Sequence, residues 1–130
     1  MLFRSACHDC SDGGLAVALV EMCLVGGPST GLSPRRVAFG DRTGLGLDAS
    51  AAPAASRLDA ALFGEAQSRI LVAVPPARRE ELMAIVGGLN VPASFVGRAG
   101  GDRLRLWSLD LSLGEMRDAY EGGLERALAG

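Results

Sequence analysis

The apolar positions of this chain fall into blocks whose period switches between strand and helix. Residues 4–10 read as a short extended segment. Ser11-Asp12-Gly13-Gly14 then leads into Leu15-Ala16-Val17-Ala18-Leu19-Val20-Glu21-Met22-Cys23-Leu24-Val25. Ser11 or Asp12 supplies an N-cap for a helix there, and Gly26-Gly27-Pro28 supplies a stop. Glu21 is the only charge in the run, so this helix is expected to be buried on most sides. Residues 28–57 are rich in Gly, Pro, Ser and Ala and predict mostly loop, with a short strand near Leu45-Gly46-Leu47-Asp48.

Leu58 to Leu62 predicts a short helix ending at Phe63-Gly64. Ser68-Arg69-Ile70-Leu71-Val72-Ala73-Val74 is a continuous β-favouring run, the pattern of a central strand covered on both faces. Pro75-Pro76 ends it, and Pro76 suits a first helical position. Leu82, Ile85 and Val86 share one helical stripe, with Gly87-Gly88 as the expected stop. Residues 92–109 predict a hairpin: Ser94 to Arg98 runs in, Gly100-Gly101-Asp102 turns, and Arg103-Leu104-Arg105-Leu106-Trp107 runs out with the alternation of a half-exposed strand. Ser112-Leu113-Gly114-Glu115 has the spacing of a capping box. Behind it, Leu113, Met116, Tyr120, Leu124 and Leu128 recur every three or four residues, and Gly122-Gly123 weakens the helix they form. The order of elements predicts an α+β fold, a mixed sheet layered with helices, in one domain over residues 1–130.

Composition narrows the chemistry. A chain of 130 residues is the size of one ordinary domain. Hydrophobic residues make up 48%, but no apolar run approaches the ~20 residues that span a bilayer. Met1-Leu2-Phe3-Arg4-Ser5 lacks the apolar core of a signal peptide, so a cytoplasmic, membrane-free protein is expected. A formal charge of −2 leaves no basic footprint for nucleic acid. All 13 basic residues are arginine. The absence of lysine excludes a Walker-type phosphate loop, a Schiff-base lysine and a lysine general base.

Three cysteines argue against a disulfide framework. Cys7 and Cys10 form a C-x-x-C, which could be a redox pair or half a zinc site. Zinc needs about two further ligands, and His8 is the only histidine. A redox pair belongs at the start of a helix, whereas this helix starts later. Both readings are therefore disfavoured.

The strongest local candidate is His8-Asp9-Cys10-Ser11-Asp12-Gly13-Gly14. Glycines opening a helix leave backbone N–H groups free for a phosphate, and the helix dipole favours the anion. Ser11, Asp12, Gly13 and Gly14 are the candidate phosphate or nucleotide contacts. Asp9 and Asp12 would repel a phosphate unless magnesium bridged them or an arginine stood nearby, which makes both candidate metal ligands. The competing reading is a capped helix whose glycines permit tight packing. A second polar cluster, Phe63-Gly64-Glu65-Ala66-Gln67-Ser68, precedes the central strand. Glu65 there could meet a metal, a nucleotide or a partner domain, or sit in an ordinary exposed turn. No nucleophilic triad can be assembled, and no catalytic residue is assigned.

Taken together, His8-Asp9-Cys10-Ser11-Asp12-Gly13-Gly14-Leu15-Ala16-Val17-Ala18-Leu19, Leu62-Phe63-Gly64-Glu65-Ala66-Gln67-Ser68-Arg69-Ile70-Leu71-Val72, Val96-Gly97-Arg98 with Gly101-Asp102-Arg103-Leu104, and Leu111-Ser112-Leu113 through Tyr120-Glu121-Gly122 follow a family's order. They resemble the C-terminal domain of the synthetase subunit of phosphoribosylformylglycinamidine synthase, in the aminoimidazole ribonucleotide synthetase superfamily. The resemblance implies a three-layer α/β/α sandwich with partial ferredoxin-like topology. It implies membership of an ATP- and magnesium-dependent carbon–nitrogen ligase of de novo purine synthesis. In that reaction ATP phosphorylates the formylglycinamide oxygen of the ribonucleotide, and glutamine-derived ammonia displaces the phosphate.

The same resemblance implies that the catalytic histidine and the main ATP and magnesium ligands lie in preceding domains. The chain alone is then inactive, and its partners are those N-terminal synthetase domains together with glutaminase and small accessory subunits. Asp12-Gly13-Gly14 is the turn to which the family's phosphate contact maps. Two other readings stand beside this one. The chain could belong to another synthetase or kinase of the superfamily. It could also be a stand-alone phosphate-binding or oligomerisation module, in which helix 15–25 would expose an apolar patch and drive self-association.

Overall fold

The computed structural model describes residues 6–25, 46–52 and 56–130. The part of the expected loop at 26–45 and 53–55, with Leu45 of the expected strand, lies outside the described residues. The elements run β1 (Ala6–Asp9), α1 (Gly14–Val25), β2 (Leu47–Asp48), α2 (Leu58–Phe63), β3 (Ile70–Ala73), a 3-10 turn (Pro76–Arg78), α3 (Arg79–Gly88), β4 (Arg98–Ala99), β5 (Arg103–Leu106), β6 (Leu109–Ser112) and α4 (Leu113–Ala129). Helices and a mixed sheet make this an α+β protein. Among the described residues no helix is long and apolar enough to cross a membrane.

The chain divides into two compact units, one drawn from Met1–Ala18 and Ala51–Val96, the other from Leu19–Ser50 and Gly97–Gly130. In the first unit β1 and β3 pair antiparallel, with Cys7 opposite Val72 and Asp9 opposite Ile70. The β3 sequence predicts cover on both faces, but Ile70 and Val72 are exposed while Leu71 and Ala73 are half-buried. One face is therefore open. Proline blocks further ladder bonds after Ala73, and Pro76 starts the 3-10 turn that leads into α3. The expected glycine stop of α3 is not where the helix ends. Gly87 and Gly88 are helical, and Asn90 takes the left-handed conformation at φ 57°. The Asn90 N–H reaches the Gly87 carbonyl at 3.1 Å and the Val91 N–H reaches that of Val86 at 2.9 Å. That is a Schellman closure with asparagine in the glycine role, which its short polar side chain tolerates.

In the second unit the sheet order is β4-β2-β5-β6, with β2 and β5 parallel. The expected hairpin between 94–98 and 103–107 is thus replaced. Residues 94–97 form no strand, and β2 lies between the two arms. Gly46 causes this. Its N–H donates to Gly101 and its carbonyl accepts from Gly100, at 2.9 and 2.8 Å, and a Cβ on Gly46 would sit 2.5 Å from the Arg103 carbonyl oxygen. The true hairpin joins β5 to β6 through Trp107-Ser108, with Leu106 opposite Leu109 and Trp107 at φ 50°.

Leu104 and Leu106 point inward and are buried with Leu19, Cys23, Ala49 and Met116, all residues of this unit. The capping box forms as its spacing predicts. Ser112 Oγ accepts from the Glu115 N–H at 3.2 Å, and the Glu115 carboxylate accepts from the Ser112 N–H at 2.7 Å. α4 then runs on through Gly122-Gly123, burying Met116 and leaving Tyr120, Leu124 and Leu128 exposed.

Over its described residues helix 15–25 does not form the open apolar patch expected of a stand-alone module. Every α1 residue from Gly14 to Leu24 is buried or half-buried, as a helix with a single charged residue requires. Its one carboxylate, Glu21, accepts a hydrogen bond from the Tyr120 hydroxyl at 3.4 Å.

Candidate functional site

The candidate site is built where β1 hands over to α1, within the first unit. The Cys10 N–H donates to the Arg69 carbonyl at 2.9 Å, extending the β1–β3 pairing by one bond before the chain turns. Gly13 and Gly14 both sit at φ 76°, a conformation that costs an L-residue with a side chain. Gly14 also meets the Leu62-Phe63 backbone, where a Cβ would stand 2.7 Å from the Leu62 oxygen. The end of α2 is thereby held against the start of α1.

That approach brings the two polar clusters of the sequence together. Glu65 Oε1 accepts the Gly13 N–H at 3.0 Å, across 52 positions of sequence. A carboxylate is seated on a donor that the sequence reading reserves for phosphate. The Gly13 donor is thus occupied by a carboxylate that the protein supplies itself.

The expected cap is displaced. The helix begins at Gly14, and the Ser11 hydroxyl donates back to Asp9 Oδ2 at 2.7 Å instead of turning to the helix. Ser takes this route because a short hydroxyl satisfies itself on the nearest acceptor. Asp12 is exposed. Among the described residues no three His, Cys, Asp or Glu side chains converge into a metal-holding group, so Asp9 and Asp12 gather no third ligand of that kind. Arg69, passed over in the sequence, contributes through both its backbone and its guanidinium, which reaches the Gly64 carbonyl at 3.4 Å. Nothing in its spacing marks it, because its partners are set by β1–β3 register.

Cys7, Cys10 and Cys23 are all free thiols, with Cys7 exposed and the other two buried. Burial pushes the Cys10 thiol up, with the Arg69 charge opposing, and pushes Cys23 up to about 11. Burial thus disfavours the thiolate form of both.

The family model described as AIR synthase related protein, C-terminal domain, matches residues 5–107. This chain belongs to that family. The matched span of this AIR synthase-related domain contains the glycine turn, Glu65 and the Gly97 motif, while α4 lies beyond it. The domain is 38% identical over 120 residues to phosphoribosylformylglycinamidine synthase subunit PurL of Thermomicrobium roseum, covering 92% of this chain and 14% of the relative. It is 35% identical over 125 residues to the subunit of the same name from Anaeromyxobacter, covering 95% of this chain and 15% of that relative. The Brucella ovis subunit is 34% identical over 119 residues. The AIR synthase-related domain therefore spans about one seventh of the length of these curated relatives.

Proposed function

We propose that this chain is the C-terminal domain of a phosphoribosylformylglycinamidine synthase. As such it serves the ATP-dependent conversion of formylglycinamide ribonucleotide and glutamine-derived ammonia to the amidine in the cytoplasm. The observation that carries the reading is relatedness along nearly the whole chain to subunits bearing that name. In this reading the catalytic groups belong to other domains of the synthetase, the 130 residues alone do not turn over, and a glutaminase and a small accessory subunit complete the assembly.

The chain's own contribution is the turn at Ser11-Asp12-Gly13-Gly14. Its two left-handed glycines open the backbone for close approach, and the positive end of α1 favours a phosphate oxygen. Glu65 holds the Gly13 N–H in place and yields it to the incoming anion. Among the described residues no three acidic, histidine or cysteine side chains converge, so a magnesium ion here would rest on Asp9 or Asp12 with water and phosphate oxygens as its other ligands. No step is assigned to the metal here.

The test is a chimera in which this chain replaces the matched segment of the Thermomicrobium roseum subunit. Growth of a purine auxotroph lacking the enzyme is expected with the chimera and not with the 130 residues alone. A chimera that folds and binds ATP but never restores growth would refute the assignment.

A further inference from the structure

Arg69 touches both segments that build the glycine turn. Its carbonyl accepts from the Cys10 N–H at 2.9 Å, which fixes the end of β1, and its guanidinium donates to the Gly64 carbonyl at 3.4 Å, beside Glu65. The backbone reverses just before it, at Ser68, which takes φ 65°. A residue with a Cβ rarely enters that region, and such outliers gather where the surroundings enforce a functional geometry. Arg69 is half-buried. A cation in that setting ordinarily takes a carboxylate, and Glu65 and Asp9 are its neighbours along the chain and across the ladder. Both carboxylates are bonded elsewhere, Glu65 to the Gly13 N–H and Asp9 to the Ser11 hydroxyl. Among the described residues the guanidinium forms no ion pair and holds a carbonyl instead. Its charge still reaches the buried Cys10 thiol, where it opposes the effect of burial.

We propose that Arg69 is a positioning residue: its guanidinium holds the Gly64 carbonyl so that Glu65 is delivered to the Gly13 N–H. Gly64 is the pivot. Its N–H closes α2 on the Ala60 carbonyl at 3.0 Å, and a Cβ there would run into that same carbonyl. With its N–H tied to α2 and its carbonyl tied to Arg69, the direction in which Glu65 leaves is set. The same bond keeps the guanidinium on a carbonyl, so Glu65 is not drawn into the stronger carboxylate pair. Arg69 thereby decides what meets the Gly13 donor. While it holds Gly64, the turn carries the protein's own carboxylate. When it lets go, Glu65 leaves the amide to an outside oxyanion. That second step deepens the proposed function and rests on it, whereas the seating of Glu65 does not.

The test is read at Gly13 itself, by NMR of the isotope-labelled 130-residue chain. The Gly13 amide signal has one position with Glu65 seated and another in Glu65→Ala, where the amide is vacated. In Arg69→Met it is expected to move toward the Glu65→Ala position, while signals away from the turn stay native. In Arg69→Lys, whose ammonium can still meet the Gly64 carbonyl, it should stay near wild type. Arg69→Met added to Glu65→Ala should move it no further, because the two residues act through one bond. A general role in packing would shift the signal alike in both backgrounds. A Gly13 signal that stays put in folded Arg69→Met, or shifts equally with and without Glu65, overturns the positioning role. Should Arg69→Met fail to fold, Arg69→Gln is read in the same way. Inorganic phosphate, titrated by calorimetry, reads the second step. Arg69→Met should bind it roughly 2-fold more tightly or better, which is what one weak hydrogen bond is worth. Weaker binding in Arg69→Met makes Arg69 a ligand of the anion and overturns the positioning role. Phosphate that binds neither wild type nor variants sinks the anion reading of the turn alone, and the Gly13 signal still judges Arg69.

Discussion

Glu65 and Gly13 are joined by a single carboxylate-to-amide hydrogen bond of 3.0 Å that closes a loop of 52 positions. Removing the carboxylate has two consequences of opposite sign. Glu65→Ala loses a charge-assisted bond at an exposed site, which should cost about 1 kcal/mol in urea denaturation. It also vacates the amide and removes a negative charge, so inorganic phosphate should bind several-fold more tightly by calorimetry. Glu65→Gln, which keeps an acceptor, should fall between. Phosphate binding that weakens in both variants would mean that Glu65 helps to hold the anion.

Gly97 and Gly87 should respond to alanine in opposite directions. A Cβ on Gly97 would stand 1.8 Å from the Asp48 carbonyl oxygen, with backbone on both sides of the clash. Gly97→Ala should separate the strand ends and cost roughly 3 kcal/mol or more. Gly87 is helical and has nothing within 4 Å of its absent Cβ. Gly87→Ala should raise stability by about 0.5–1 kcal/mol through helix propensity alone. Thermal melts of the two variants check both signs.

Acid should destabilise the second unit through identifiable carboxylates. The Ser50 hydroxyl holds Asp48 below its ordinary range, the Arg103 guanidinium does so for Asp110, and the Ser112 N–H does so for Glu115. A carboxyl with a lowered folded-state pKa binds its proton more readily when unfolded. Its contribution is complete above the unfolded value near 4 and disappears as pH falls below it toward the folded value. Urea midpoints should therefore be flat from pH 7 to 5 and decline steadily below about 4. In Asp110→Asn that decline should be shallower.

Trp107 carries a buried indole N–H that finds no acceptor among the described residues, and it sits at φ 50° in the β5–β6 turn. A buried unpaired donor costs about 1–3 kcal/mol. Trp107→Phe removes the donor and keeps most of the apolar bulk. It should leave stability unchanged or raise it by up to about 1 kcal/mol, as measured by urea denaturation. A loss of more than about 2 kcal/mol would show that the larger ring matters more than the orphaned donor.

What could be read from the chain alone divides along a physical line. Local signals are sufficient for α1, α2 and α4, because an apolar run with a single charge, a Gly64 stop and the Ser112–Glu115 box act within a few residues of the structure they set. Long-range geometry is not. The insertion of β2 between β4 and β5 depends on Gly46 meeting Gly100, Gly101 and Arg103, and no sequence window contains both partners. The Trp107-Ser108 turn lacks the Asn-Gly or Asp-Gly signature of a two-residue hairpin, so β6 went unseen beside the louder Gly100-Gly101-Asp102.

The candidate site followed the same division. The glycine turn was visible from its own residues. The seat of Glu65 on Gly13, and the displacement of the cap from Ser11, appear only once α2 is set against α1. The openness of β3 on one face was equally illegible, since an apolar run reports what a strand requires and not whether this chain supplies it.

The placement of β2 also governs how the second unit can assemble. Among the described residues, Leu47 and Asp48 are the pair that links Arg98-Ala99 to Leu104-Arg105. Two arms close together in sequence must therefore wait for a strand from far upstream before either gains a neighbour on that side. The β5–β6 hairpin can form early by itself, whereas β4 can join only after a slow closure of distant chain. In refolding experiments amide protection should reach Leu104 and Leu111 before it reaches Ala99. A two-residue strand would then set the pace of the whole sheet.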